Sequence, residues 1–215
     1  MFLIYILPFL VSFLLAIILT LGVKKIAIRF KLVDKPGERK IHVKATPLLG
    51  GAAVFLSFFA VLFLFSGRFL AGNLEWRHLI GFFIGALLII IGGALDDKYN
   101  LSAKWQIIFP LLAIIAVIIG GVEIEKITNP LGGFIYLKDL VIVGPALIAL
   151  WLLGMMYTTK LLDGVDGLVS GVGAIGALVI FLFTLTTKYF QPDIALAAVI
   201  LMGSAGGFLI FNFYP

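Results

Sequence analysis

Seven apolar stretches constrain this chain more than any other feature, because stretches of roughly 17 to 25 apolar residues match the thickness of a lipid bilayer when they form a helix. Hydrophobic residues make up 62% of the 215 positions and charged residues only 13%, which is too little polar surface to cover a soluble core. Lipid cannot satisfy an exposed backbone, so each stretch is predicted to be helical. The predicted helices are approximately Phe2–Leu21, Leu48–Phe65, Leu79–Leu95, Trp105–Ile119, Leu140–Met156, Val169–Thr186 and Ile194–Phe213. The sequence therefore predicts an all-α polytopic membrane protein with about seven transmembrane helices.

The distribution of Lys and Arg predicts the orientation of these helices. Eight of the 16 basic residues lie in the loop between the first two helices, which places that loop in the cytoplasm and the N-terminus outside. The third loop (Asp96–Lys104) and the fifth loop (Tyr157–Leu168) are then cytoplasmic as well. No basic residue precedes the first helix, so it is predicted to be a retained anchor and not a secretory signal. The net charge of +5 is explained by this topogenic loop, so nucleic acid is not predicted as a partner.

Two further patterns concern folding and not chemistry. Alternating apolar residues on both sides of Asn129-Pro130-Leu131-Gly132-Gly133 predict a short extracellular β-hairpin within residues 122–138. Gly203 and Gly207 have the GxxxG spacing of a helix-packing face. The chain contains no cysteine, which excludes disulfides and thiol-ligated metals, and no internal repeat stands out. Residues 1–215 are predicted to be a single transmembrane domain.

The first candidate site lies in the basic loop, from Asp34 to His42, followed by Thr46-Pro47 and Gly50-Gly51. Arg39 and Lys40 offer a planar fork and a point charge for phosphate oxygens, and Pro36-Gly37 can present them in a turn. By itself the loop also fits a purely topogenic role that includes contact with anionic lipid headgroups.

The second candidate site is the adjacent carboxylate pair Asp96 and Asp97, where the third predicted helix leaves the bilayer. Two neighbouring carboxylates repel each other unless a cation or a proton resolves them, so Mg²⁺ binding and base chemistry are both plausible. A solvated pair that only ends a helix explains the adjacency equally well.

The third candidate site is Lys160-Leu161-Leu162-Asp163-Gly164-Val165-Asp166-Gly167-Leu168. Asp163 and Asp166 are three residues apart and would share a face in helical geometry, and the flanking glycines allow close approach of a bulky ligand. Four carboxylates and many cations on one side of the membrane are the equipment of metal-assisted phosphoryl transfer.

At these three motifs the chain resembles the polyprenyl-phosphate N-acetylhexosamine-1-phosphate transferase family, over its whole length. The matching residues are Asp34-x-Pro-x-x-Arg39-Lys40-x-His42, Asp96-Asp97 through Leu101-Ser102, and Asp163-Gly164-Val165-Asp166-Gly167-Leu168. The resemblance implies transfer of N-acetylhexosamine-1-phosphate, with GlcNAc-1-phosphate favoured by the first motif, from a UDP-sugar to undecaprenyl phosphate. UMP would be released at the cytoplasmic face of a bacterial plasma membrane, in cell-wall or surface-glycan synthesis such as that of teichoic acid or lipopolysaccharide.

The resemblance also implies roles for individual residues. Asp96 or Asp97 would deprotonate or orient the lipid phosphate, and the choice between them stays open. Asp163 and Asp166 would place the metal, Mg²⁺ with Mn²⁺ as an alternative, and the nucleotide diphosphate. The other substrate-binding residues would be Arg39, Lys40, His42 and Lys160. The partners would be the two substrates and membrane lipid, and a homodimer is left open.

The chain departs from the family pattern in two respects. Lys160 and Tyr157 stand where the family often has asparagines, which affects substrate preference or metal geometry. The family also continues beyond the seventh helix into a loop with a further metal-ligating Asp, so the chain is expected to be the N-terminal portion of a longer enzyme and inactive alone. In such a fragment Gly203 and Gly207 would pack only against lipid.

Two other classes compete with this interpretation. A transporter or lipid flippase would place charges near the midplane of its helices, whereas the acids here lie at helix ends. A CDP-alcohol phosphotransferase would have Ala-Arg shortly after its first Asp-Gly, whereas Ser170-Gly171 follows Asp166-Gly167 here.

Overall fold

A computed structural model describes residues 3–29, 33–34, 46–47, 50–70, 74–137, 140–187 and 190–213. In these residues every apolar stretch that the sequence marked is helical. Five helices are long and apolar enough to cross a membrane: α1 (Leu3–Arg29), α4 (Trp76–Tyr99), α7 (Val143–Leu162), α8 (Leu168–Thr186) and α9 (Pro192–Asn212). The shorter apolar helices are α2 (Gly50–Leu64) and the pair α5 (Ala103–Gln106) and α6 (Ile108–Ile119), and a single turn, α3 (Ser66–Phe69), follows α2. The predicted all-α polytopic membrane fold is confirmed.

Several helices extend past their predicted ends. The apolar pattern placed the end of the first helix at Leu21, but α1 continues to Arg29. Similarly, α4 continues to Tyr99 and α7 to Leu162, so both helices include charged residues that were assigned to loops. Hydropathy marks where the hydrocarbon ends, whereas intrahelical hydrogen bonds continue into water or headgroups wherever the sequence permits.

The predicted β-hairpin is confirmed. Strand β3 (Lys126–Thr128) pairs antiparallel with β4 (Phe134–Tyr136), with Ile127 opposite Ile135. In the turn, the backbone N–H of Leu131 donates to Asn129 Oδ1 at 3.0 Å, and Gly132 and Gly133 take positive φ values of 109° and 79°. A second, unpredicted ladder joins β1 (Val33–Asp34) to β2 (Thr46–Pro47).

The Cα atoms group into two compact units. The first contains Met1–Leu74, Ala94–Asn100 and Asp163–Pro215, and the second contains Glu75–Gly93 and Leu101–Leu162. The prediction of one transmembrane domain over residues 1–215 stays a prediction.

In the first unit α9 is the most buried of the long helices, and it packs against α1, α2 and α8. Gly207 lies against the backbone carbonyl of Phe13, and Gly203 lies against the Ser12 side chain, so both glycines face α1. They are therefore a helix-packing face, as predicted. The expectation that they would pack only against lipid is wrong, because α1 covers them.

In the second unit α4 and α6 also approach through glycines. A Cβ atom on Gly81 would lie 2.8 Å from the Gly120 Cα, and one on Gly85 would lie 3.1 Å from the Ala113 carbonyl oxygen. Small residues at a crossing let two backbones approach, and this close packing holds helices together in lipid.

Candidate functional site

The first motif lies mostly outside the described residues. Arg39, Lys40 and His42 fall in the segment 35–45, and nothing in the described residues tests their predicted roles. The described part is the ladder that pairs Asp34 with Thr46 and Val33 with Pro47. This ladder joins the two ends of the basic loop, so the residues that flank the predicted phosphate-binding side chains lie side by side.

The second motif lies on the last turn of α4, where sequence reasoning had expected the start of a loop. The backbone N–H of Asn100 donates to the Asp96 carbonyl at 2.8 Å, and Asn100 takes a left-handed φ of 49°, which ends the helix. Asp96 is half-buried and Asp97 is exposed. Negative side chains at a helix C-terminus face the negative end of the helix dipole, so a cation near this turn would relieve an unfavourable arrangement.

The third motif forms the turn that joins α7 to α8. The backbone N–H of Leu168 donates to the Val165 carbonyl at 3.1 Å, and Gly167 caps α8 with a φ of 76°. A Cβ atom at Gly167 would lie 3.0 Å from Phe213 Cδ2, so glycine is needed here both for its backbone conformation and for space. Asp163 and Asp166 therefore lie in a tight turn between the two helices. The prediction that they share one face of a helix is corrected, because neither residue is helical.

The charge of this turn is concentrated on its two carboxylates, both of which are exposed residues. The pKa of Asp163 is raised above its ordinary value, first because nearby protein atoms partly desolvate its carboxyl and second because the negative charge of Asp166 is close. The structure thus brings these two predicted site residues together. A proton or a cation at this turn would remove the repulsion between them.

Lys160 lies on the last turn of α7, inside the second unit. Its ammonium group donates to Gln106 Oε1 at 2.9 Å, and Gln106 Nε2 donates to the Leu101 carbonyl at 2.9 Å. Sequence reasoning predicted Lys160 but missed Gln106. The available signal was a single amide between Trp105 and Ile107, at the edge of an otherwise apolar stretch.

The predicted carboxylates do not converge on one metal cluster among the described residues. All four belong to the first unit, since the segments Ala94–Asn100 and Asp163–Pro215 are both part of it. Within the described part of the chain, no group of three or more His, Cys, Asp or Glu side chains is arranged to hold a metal ion. The site that the geometry supports is therefore the pair Asp163 and Asp166, with Asp96 and Asp97 as a separate pair.

Sequence comparison connects these motifs to a known group of proteins. Residues 79–215, which include the second and third motifs, match glycosyl transferase family 4. This match covers more than half of the chain.

Curated relatives match most of the chain. It is 33% identical over 214 residues to a probable undecaprenyl-phosphate N-acetylglucosaminyl 1-phosphate transferase of Bacillus subtilis, with 96% of this chain and 55% of the relative covered. It is 29% identical over 205 residues to a decaprenyl-phosphate N-acetylglucosaminephosphotransferase of Mycobacterium tuberculosis. That match covers 89% of this chain and 50% of the relative. A third relative is an undecaprenyl-phosphate alpha-N-acetylglucosaminyl 1-phosphate transferase of Yersinia pestis. It is 31% identical over 168 residues, and the match covers 74% of this chain and 42% of the relative. The chain spans about half the length of the curated relatives it matches.

Proposed function

Because this chain belongs to glycosyl transferase family 4, we propose that it forms part of an enzyme that transfers N-acetylhexosamine-1-phosphate to a polyprenyl phosphate. The names of its relatives specify N-acetylglucosamine as the sugar and undecaprenyl or decaprenyl phosphate as the acceptor. The proposed substrates are therefore UDP-GlcNAc and undecaprenyl phosphate, and the proposed by-product is UMP. The product would serve cell-wall or surface-glycan synthesis.

The proposed reaction is a phosphoryl-type transfer at the β-phosphorus of the donor. An oxygen of the lipid phosphate forms a bond to that phosphorus, and the bond from the phosphorus to the bridging oxygen breaks. The bridging oxygen leaves with UMP, and the sugar-1-phosphate remains on the lipid as a diphosphate. Both substrates carry negative charge, so the protein has to neutralise and align phosphate oxygens.

The observation that carries this proposal is the pair of carboxylates in the turn between α7 and α8. The pKa of Asp163 is raised first by partial desolvation of its carboxyl and second by the negative charge of Asp166. Asp163 and Asp166 would hold a divalent cation, whose charge would offset their repulsion and neutralise the donor diphosphate. Mg²⁺ in proteins is typically held in this way, by one or two carboxylates together with substrate phosphates.

The donor set therefore fits Mg²⁺, and Asp163 and Asp166 are the residues that would hold it. When bound, the ion supplies neutralising charge to the diphosphate. Lys160, three residues before Asp163, adds a positive charge for a phosphate oxygen.

The proposed partner of Asp96 and Asp97 is the acceptor substrate, the lipid phosphate. A carboxylate on the last turn of α4 can accept a proton from the lipid phosphate, or fix its orientation through that proton, and either role lets an oxygen attack. Arg39, Lys40 and His42 supply cations for the phosphates from the first loop. We place these loops on the cytoplasmic face of a bacterial plasma membrane, where UDP-sugars are present.

Charge-removing substitutions test the proposal in the protein expressed from its complete gene. Asp96, Asp97, Asp163 and Asp166 are each changed to Asn, which keeps the size and removes the charge. At least three of the four variants are expected to lose on the order of 10²-fold or more in Mg²⁺-dependent UMP release, as for groups that hold a metal or act as a base.

Glu123→Gln is the matched control, because Glu123 is an exposed carboxylate in the segment before β3 and is expected to keep wild-type activity. If all four Asp variants retain activity, the carboxylates are solvated ends of helices and the proposed site is wrong.

A further inference from the structure

The Gln106 side chain links two parts of the second unit that are far apart in sequence. It lies at the end of α5, five residues after Leu101 and 54 residues before Lys160. Its amide oxygen accepts from the Lys160 ammonium at 2.9 Å and its amide nitrogen donates to the Leu101 carbonyl at 2.9 Å. One half-buried amide therefore joins Leu101, just before α5, to Lys160 on the last turn of α7.

The two partners of Gln106 require the same orientation of its amide. A lysine ammonium can only donate, so the amide oxygen must face Lys160. A backbone carbonyl can only accept, so the amide NH₂ must face Leu101. The bond to Leu101 thus holds the oxygen toward Lys160, and neither contact is satisfied if the amide flips.

This arrangement fixes a side chain that is otherwise mobile. Lysine carries its charge on a flexible four-carbon stem, and Lys160 is exposed on the last turn of its helix. A position near the helix C-terminus already favours a cation, which explains a lysine there but not its anchoring by a side chain 54 residues away. An exposed ammonium held at one point is preorganised to bind an anion.

We propose that Gln106 is a positioning residue that holds the Lys160 ammonium for a phosphate oxygen of the nucleotide diphosphate-sugar. This inference rests on the proposed function, since it assigns the ligand of Lys160 within that reaction. Gln106 does not itself contact the substrate. Its role is expressed in donor affinity and depends on Lys160.

The test is a double-mutant cycle in the protein expressed from its complete gene, with UDP-GlcNAc as the donor and UMP release as the readout. Lys160→Met is expected to raise the donor KM by about tenfold, as for the loss of a charged hydrogen bond. Gln106→Ala is expected to raise the donor KM by about three- to tenfold and to change kcat by less than about threefold. The double variant should match Lys160→Met alone, because without the lysine there is nothing for Gln106 to position.

Two more variants keep the test decisive. Gln106→Glu has nearly the same shape and still accepts from Lys160, but its carboxylate competes with phosphate for the ammonium, so the donor KM should rise at least as much as in Gln106→Ala. Gln191→Ala is the control for glutamine removal, because Gln191 is also half-buried and precedes α9; its donor KM should stay at the wild-type value.

The outcomes separate this inference from the proposed function. If the wild-type protein releases no UMP, both fail. If the wild-type protein is active and Gln106→Ala raises KM equally with and without Lys160, or lowers kcat and thermal stability without changing KM, Gln106 only braces α5 and the inference alone is overturned.

Discussion

Among the described residues, the two carboxylates of the third motif stand out because they lie close together in a short turn. Asp163 and Asp166 share one tight turn, and the pKa of Asp163 is raised by desolvation and by its neighbour. The sequence marked this pair through its spacing and its glycines. It did not reveal the pairing of Lys160 with Gln106, because two polar residues 54 positions apart in apolar surroundings leave no local pattern.

The raised pKa of Asp163 predicts how the stability of this chain depends on pH and Mg²⁺. The folded state binds this proton more tightly than the unfolded state. The resulting stabilisation is therefore fully present below the ordinary pKa of 3.8 and is lost as the pH rises through the raised value. At pH 7 the ionised Asp163 carboxyl consequently costs stability, and its repulsion from Asp166 accounts for the smaller part of that cost. We expect Asp166→Asn to raise the Tm at pH 7 by about 1–3 °C, a small gain because both residues are exposed.

Thermal unfolding in detergent measures this effect on the 215-residue chain. Millimolar Mg²⁺ should raise the Tm of the wild-type chain and leave Asp163→Asn and Asp166→Asn unchanged. The Tm advantage of Asp166→Asn should shrink as the pH is lowered toward 4. Glu123→Gln should behave as wild type in both series, and an equal Mg²⁺ response in all four proteins would place the ion elsewhere.

At the scale of helices, the apolar pattern was sufficient to locate elements but not to pair them. Every apolar stretch becomes a helix because lipid leaves the backbone no other partner, and this requirement is independent of which helix lies beside it. Partners are chosen by close packing of small residues, and in the first unit Gly203 and Gly207 select α1. The charged extensions of α1, α4 and α7 were also missed, since they lie outside the hydrocarbon, where hydropathy carries no signal.

Adjacent glycines on α9 provide a matched test of this packing. A Cβ atom on Gly207 would overlap the Phe13 carbonyl oxygen and lie 3.0 Å from the Ala16 Cβ, whereas one on Gly206 would make an ordinary contact of 3.7 Å with the Phe13 ring. Gly207→Ala should therefore destabilise the chain by about 1–3 kcal/mol, as overpacking does. Gly206→Ala should be neutral or stabilising by up to about 1 kcal/mol through helix propensity. Equal unfolding midpoints for the two variants in a denaturant titration would mean that α1 and α9 do not meet at Gly207.

At the scale of the whole molecule, the order of helices along the chain decides which loops share a side. The first loop follows one membrane crossing, Asp96 and Asp97 follow the third, and Asp163 and Asp166 follow the fifth, when α2 and the pair α5 and α6 each count as a crossing. An odd number of crossings then separates each motif from the N-terminus, so this topology predicts that all three motifs lie on one face. This much follows from sequence, whereas distances between the motifs depend on packing that hydropathy does not encode.

Reporter fusions test this arrangement directly. A reporter fused after Lys44 should report the cytoplasm, because eight basic residues hold the first loop inside. A reporter fused after Gly132, in the turn between β3 and β4, should report the outside. The reverse result would put all three motifs on the face without UDP-sugars and would contradict the proposed function. A cytoplasmic signal from both positions would show that α2, or the pair α5 and α6, does not cross the membrane.

The extra length of α1 bears on how the proposed polyprenyl phosphate acceptor would arrive. Residues 3–23 rise by about 31 Å and match a hydrocarbon core of about 30 Å, so residues 24–29 stand about 9 Å above it. This helical overhang carries Lys24, Lys25 and Arg29, all exposed, which such a placement would put at the height of lipid headgroups. An anionic lipid would reach it by lateral diffusion in two dimensions, and the cations of the overhang would raise the local density of such lipids. Salt screens that attraction over about 8 Å, so the rate of lipid capture should fall with ionic strength even though the lipid never leaves the membrane.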